Sequence, residues 1–167
     1  DLAAVVIRAA LERTPGLDPD RIDDVLLGNA HPEGEAGYNM ARIAGQIAGL
    51  PDSVAGATIN RFCASGLQTM VQGIHSVASG MADVVLAGGS DCTSRVPMGG
   101  ATLAVNRALV KSKPGAYHTM GQTAEAVAIY RRLASVDESL PTRQNALQGI
   151  LGAAGERRIE IILDWLA

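Results

Sequence analysis

The stretch VAGATINRFCASGLQTMVQGIHSVASG, residues 54–80, sets a cysteine at the seam between two kinds of secondary structure. Val54, Ala55, Ala57, Thr58 and Ile59 make a short β-rich run suited to a buried strand. Beyond the cysteine, Leu67, Met70, Val71, Ile74, Val77 and Ala78 recur at steps of three and four, the spacing of one helix face, until Gly80 supplies a stop. Cys63 is thus predicted at a helix N-terminus, close to first-turn N–H groups that have no intrahelical acceptor. That setting favours a thiolate, and the thiolate is the nucleophile. The same N–H groups suit the oxyanion that forms when a thioester is attacked. An isolated cysteine at such a junction is more often buried and inert. Here its neighbours Ala64, Ser65 and Gly66 are small and leave backbone and substrate room to approach.

Outward from this stretch the periods alternate. An amphipathic helix over residues 2–13 leads through Pro15-Gly16 and an acidic loop to a strand at 24–28. A helix over 39–50 carries Met40, Ile43, Ala44 and Ile47 on one face and ends at Pro51; the strand before Cys63, its helix and a strand at 83–87 follow. An α-β-α-β-α-β series implies an α/β fold with a mostly parallel sheet covered by helices. After Gly88-Gly89 the chain turns loop-rich, with Pro97, Gly99, Gly100, Pro114 and Gly115. Leu147, Ile150, Leu151 and Ala154 give a later helical stripe, and residues 159–166 a second apolar stretch.

Composition narrows the function classes. Of the 167 residues 47% are hydrophobic and 19% charged, which is ample material for a core, and one domain is the default expectation. A net charge of -3 without a long basic run argues against nucleic acid or an anionic membrane as partner. Asp18, Asp20, Asp23 and Asp24 lack the ligand spacing and closing Glu of a hard-metal loop, so they read as a solvated turn and no metal is expected. Two cysteines, Cys63 and Cys92, are too few for a disulfide scaffold or a zinc site, which suits a reducing, cytoplasmic setting. No run approaches the roughly 18 apolar residues of a membrane span. The chain starts at Asp1 inside a helical pattern, so the lack of a leader sequence carries no information about targeting.

The segment NRFCASGLQ, residues 60–68, resembles the thiolase family, the acyl-CoA C-acyltransferases, whose nucleophilic cysteine lies in N-R-x-C-x-S-G-L-Q. Further matches follow in order. VLLGNA at 25–30 resembles the family's second strand, and Asn39, Ala41 and Arg42 its N-x-A-R helix start. ADVVLAGGSDCTSRVPMG at 82–99 resembles A-D-V-V-x-A-G-G-x-E-S-M-S-x-x-P, with Asp91 for Glu, Cys92 for Ser and Thr93 for Met. MGQTAE at 120–125 resembles M-G-x-T-A-E, although His118 is displaced by one from the histidine that often precedes that Met. The motifs cover about the first three-quarters of the chain.

The resemblance implies a cysteine acyl-enzyme that exchanges acyl groups between acyl-CoA and coenzyme A or acetyl-CoA, with Cys63 as nucleophile and backbone oxyanion donor and Met120 at the substrate. It implies no cofactor beyond coenzyme A as substrate, and a homodimer or homotetramer. It further divides the chain into a partial N-terminal α/β half (1–89), the start of the loop domain over the coenzyme A site (90–128), and a helical segment without a family motif (129–167). Arg107, Lys111 and Lys113 read as an exposed helix end, with coenzyme A phosphates as the other reading. The family's G-H-P histidine and C-x-G cysteine occur nowhere in these residues. The implied sheet order is 3-2-1-4-5, with the first strand before Asp1 and the fifth after the loop domain, so the strands at 24–28 and 83–87 are expected to lack a shared neighbour. The chain therefore reads as an N-terminal piece of a thiolase, inactive alone. Three alternatives stay open: a ketoacyl-synthase-type condensing enzyme, a cysteine hydrolase pairing Cys63 with His31, His75 or His118, and a non-catalytic acyl-CoA- or lipid-binding subunit.

Overall fold

The structure, a computed structural model, describes residues 1–136. The stripes at Leu147–Ala154 and 159–166 lie outside the described residues. Two compact units divide the chain, one of residues 1–103 and one beginning at Ala104.

The first unit is built on three parallel strands, β1 (Asp24–Gly28), β2 (Ala55–Ile59) and β3 (Val85–Gly89), in the order β2-β1-β3. Around them run α1 (Leu2–Glu12), α2 (Met40–Ala48) and α3 (Ser65–Ala78). The α/β class and the parallel sheet covered by helices are as the alternating periods imply. The central strand β1 is buried on both faces from Val25 to Gly28, and that VLLG stretch is correspondingly apolar. Under α1 and α2, Val25 and Leu27 pack with Ala3, Ile7, Ile22, Ala41, Ala44, Leu50 and Val54.

One expectation needs correcting. The strands at 24–28 and 83–87 leave no gap between them: β1 and β3 pair directly, Asp24 opposite Val85 through Gly28 opposite Gly89. A buried row of unpaired N–H and C=O groups costs about 1–3 kcal/mol per group, and direct pairing removes it. The third strand also starts two residues later than its apolar pattern, because the Asp23 carboxylate accepts the N–H groups of Asp83 (2.6 Å) and Val84 (3.0 Å).

On the other face α3 lies over β1 and β3, and the residues it turns inward are small or polar: Ser65, Thr69 and Gly73. Its apolar stripe faces out. Leu67, Met70, Val71, Ile74 and Val77 are all exposed. The periodicity that identified the helix marks a face that does not touch the sheet. Beside it, Asp24, Gln72, His75, Ser76, Ser79 and Met81 line an open hollow of about 520 Å³.

The acidic cluster is only partly a solvated turn. Asp18 caps the 3₁₀ turn Pro19–Arg21 by accepting from the Asp20 N–H. Asp23 ties β1 to the start of β3, and those hydrogen bonds, from Val84 foremost and then Asp83, hold its carboxyl below the usual range. Asp24 is pushed the other way by burial, and its Oδ1 is buried without a partner.

Residues 90–103, which the motifs group with the loop domain, belong to the unit that holds the sheet. Arg95 forms an ion pair with Glu35, which lowers the Glu35 carboxyl, and Val96 is buried. The second unit opens with α4 (Arg107–Ser112), capped by Asn106 accepting from the Leu109 N–H. Arg107 starts that helix, Lys111 lies in its last turn and Lys113 is its C-cap. A 3₁₀ turn at Pro114–Tyr117 leads to α5 (Met120–Val136), where Thr119 and Gln122 exchange hydrogen bonds in a capping box.

Candidate active site at the junction of β2 and α3

Two glycines let helices start directly on strands. A Cβ on Gly28 of β1 would come within 2.4 Å of the Ser65 carbonyl carbon and 2.6 Å of the Gly66 nitrogen. A Cβ on Gly56 of β2 would come within 2.7 Å of the Arg42 nitrogen. Both contacts are with backbone, so neither yields to a side-chain rotation. Gly28 seats the first turn of α3, and Gly56 the first turn of α2.

Between β2 and α3 the chain makes one tight turn through Asn60–Ala64. Phe62 adopts φ +47, a left-handed conformation that strains an aromatic residue, and Cys63 follows it. Asn60 Oδ1 accepts the Phe62 N–H at 2.9 Å, while its Nδ2 donates to the Ala30 carbonyl at 3.1 Å. From the helix side, the buried Ser65 hydroxyl accepts the Arg61 N–H (2.8 Å) and donates to the Phe62 carbonyl (2.5 Å). The Arg61 guanidinium reaches the Gln68 side-chain carbonyl one turn into α3.

Cys63 is exposed and free, immediately before the N-cap of α3. That N-cap is Ala64, whose side chain offers no acceptor to the first turn. The positive end of the helix is therefore left to whatever the junction carries, which is the arrangement a thiolate or a thioester oxyanion uses.

No hydrogen bond joins Cys63 to a histidine among the described residues. His31 is the histidine nearest the turn in its contacts: its ring lies 6.3 Å from that of Phe62, but Nε2 accepts the Gly99 N–H at 2.8 Å and is thereby occupied. His75 lines the hollow beside α3, and His118 ends the 3₁₀ turn in the second unit. Met120 is the exposed first residue of α5, in that same unit. Cys92 is also exposed and free, with its sulfur 3.4 Å from Ser94 Oγ. Asp91, in the place of a longer Glu, accepts the Ala30 N–H at 3.0 Å and so tethers the loop after β3 to the loop after β1.

The roles of Asn60, Ser65 and Gly28 are not in the sequence reading, although all three stand inside recognised stretches. A serine two residues after the cysteine was the available signal, since short hydroxyl side chains bond to nearby backbone at helix starts.

The parallel sheet thus presents a free, exposed cysteine where its edge strand β2 leads into the uncapped start of α3. The chain belongs to the thiolase family: the family model for the thiolase N-terminal domain matches residues 1–133. It is 38% identical over 165 residues to a 3-ketoacyl-CoA thiolase of Bacillus subtilis (strain 168), which takes in 97% of this chain and 41% of the relative. Against a beta-ketoadipyl-CoA thiolase of Pseudomonas knackmussii it is 38% identical, covering 97% of this chain and 45% of the relative. A beta-ketoadipyl-CoA thiolase of Escherichia coli is 48% identical over 109 residues, 64% of this chain and 27% of the relative. The chain thus spans under half the length of these relatives, and the likeness runs past residue 129, where the motifs stop. No helix among the described residues is long and apolar enough to cross a membrane.

Proposed function

We propose that this chain carries the acyl-accepting half of a thiolase active site, with Cys63 as the nucleophile. The single observation behind this is the exposed Cys63 thiol at the uncapped N-terminus of α3, inside a complete NRFCASGLQ segment. In the cleavage direction the thiolate attacks the keto carbonyl of a 3-ketoacyl-CoA, the bond between the keto and alpha carbons breaks, and acetyl-CoA leaves as its carbanion and is protonated. In the synthetic direction it attacks the thioester carbonyl of an acyl-CoA, and coenzyme A leaves, taking the proton given up by Cys63. Either way an acyl thioester remains on Cys63. A second coenzyme A thiol, or the carbanion of acetyl-CoA, then takes the acyl group and restores the cysteine. Coenzyme A enters and leaves as substrate and product, with no further cofactor.

The whole protein carries out this exchange on a 3-ketoacyl-CoA. The names of the relatives support that substrate class, since both kinds are thiolases of 3-keto (beta-keto) acyl-CoA esters. Met120 contacts the substrate, on the strength of the MGQTAE match. The proton-handling histidine and second cysteine of this reading are not among these residues and have to be supplied to the site by the rest of a thiolase. The assembled enzyme is a cytoplasmic homodimer or homotetramer.

Acetoacetyl-CoA cleavage tests the proposal. The chain alone is expected to stay near background, because each missing acid–base group is worth about 10²–10⁴-fold. Mixed with a separately expressed second half of a thiolase it gains activity, and Cys63→Ala abolishes the gain. Activity that survives Cys63→Ala, or label from acetyl-CoA retained by that variant after acid quenching, rules the nucleophile out.

A further inference from the structure

The turn that presents Cys63 is held from both ends by side chains to which the acyl-transfer chemistry gives no part. Phe62 sits at φ +47 without being a glycine, and its ring is largely exposed, with the His31 ring 6.3 Å away. What holds it is polar. The Phe62 N–H goes to Asn60 Oδ1, and the Phe62 carbonyl receives the Ser65 hydroxyl as well as the Ser65 backbone N–H (2.9 Å), so a side chain engages each backbone group of the strained residue. Ser65 is 3% exposed, and its oxygen also accepts the Arg61 N–H, which leaves the hydroxyl fixed in orientation. Asn60 is itself anchored, through Nδ2, to the Ala30 carbonyl in the loop after β1.

We propose that Asn60 and Ser65 are positioning residues for Cys63: together they clamp Phe62 in its left-handed conformation, and the clamped turn sets the direction in which the thiol leaves the junction. This rests on the reading of Cys63 as the nucleophile. A backbone conformation that costs on the order of 1–3 kcal/mol persists only where its surroundings enforce it. Without the clamp Phe62 relaxes toward negative φ, the peptide before Cys63 rotates, and the thiol leaves the junction in another direction. Glycine tolerates positive φ at no steric cost, so glycine at position 62 removes the need for the clamp.

The test uses the full chain and its second thiol as internal reference. Brief iodoacetamide labelling, resolved by peptide mass spectrometry, gives the rate ratio of Cys63 to Cys92. Ser65→Ala and Asn60→Ala are each expected to lower that ratio about fivefold, the size of effect carried by a charge at a helix terminus. Phe62→Gly added to Ser65→Ala is expected to recover at least half of the loss, and Ser65→Thr, which keeps the hydroxyl, to retain most of the ratio. A purely structural role would lower the urea midpoint and leave the ratio alone. If Ser65→Ala does not fold, exposed Asn60 supplies the test, with Phe62→Gly added to Asn60→Ala. A ratio unchanged in a folded single variant, or no recovery on adding glycine, overturns the proposal. A ratio near one in the unsubstituted chain overturns the nucleophile reading instead.

Discussion

The molecule starts two helices on two neighbouring strands in the same way and finishes the two junctions in opposite ways. At α2, Asn39 Oδ1 accepts the Arg42 N–H and the Thr58 hydroxyl, Asn39 Nδ2 donates to the Gly56 carbonyl, and Thr58 Oγ1 accepts the Ala41 N–H. The Arg42 guanidinium closes the corner on the carbonyls of Val54 and Asp52. Side-chain oxygens thus take the N–H groups of both Ala41 and Arg42 in the first turn. At α3 the equivalent cap is Ala64, and the polar side chains nearby hold the turn before it instead of the helix end. Closing a helix N-terminus contributes stability; leaving it open, next to a free thiol, gives up roughly 1 kcal/mol and supplies a place for negative charge.

The largest effect that bears on this comparison is steric and common to both junctions. Gly28→Ala is expected to cost about 3 kcal/mol, because the added methyl meets the α3 backbone. Gly56→Ala should cost somewhat less, its nearest backbone contact being longer. Urea denaturation measures both, and a loss under about 0.5 kcal/mol for Gly28→Ala would break the idea that the strand seats the helix.

The next effect separates the junctions. Asn39→Ala removes a cap and two further hydrogen bonds and is expected to cost about 1–2 kcal/mol, while the Cys63 labelling rate stays within about twofold. Ala64→Asp does the reverse. A carboxylate at the cap of α3 should add about 0.5 kcal/mol and slow Cys63 labelling, since it competes for the same N–H groups. Faster labelling in Ala64→Asp would contradict an open helix end as the source of reactivity.

The smallest effects come from the far end of β1, where the contrast of satisfied and unsatisfied groups recurs in adjacent residues. The folded pKa of Asp23 lies below its ordinary value, so its contribution is present above the ordinary carboxylate range and is lost as pH falls through the lowered folded value. The folded pKa of Asp24 lies above its ordinary value, so its contribution is present at low pH and is lost as pH rises through the raised value. Asp23→Asn should therefore lower the urea midpoint at neutral pH. Asp24→Asn should raise it, by an amount that shrinks on acidification. A neutral-pH loss in Asp24→Asn would show that its buried oxygen has a partner.

The elements of the first unit were legible because each period is clear: three short apolar runs, three helical spacings, and Pro or Gly at the breaks. The order of the sheet was legible only through the family resemblance, which puts the strand at 24–28 between those at 55–59 and 83–87; the direct pairing of β1 with β3 was not, since apolar runs carry no address. The inward face of α3 was hidden for a related reason. Its stripe of Leu67, Met70, Ile74 and Val77 states that a face is apolar without stating what covers it, and the sheet took the side with Ser65, Thr69 and Gly73, where the backbones approach closely. Cys63 was readable from its motif, and its place ahead of the helix from the change of period. The clamp was not readable, because it turns on a positive φ at Phe62, and nothing about an aromatic residue signals that conformation.

The rate of Cys63 alkylation relative to Cys92, measured in the folded chain at a pH just below 8, tests most directly whether the open junction makes a nucleophile. Both thiols are exposed, so access alone does not distinguish them. A thiol at the uncapped start of α3 should label several-fold faster than one in the loop after β3. Equal rates, or faster labelling of Cys92, would contradict it.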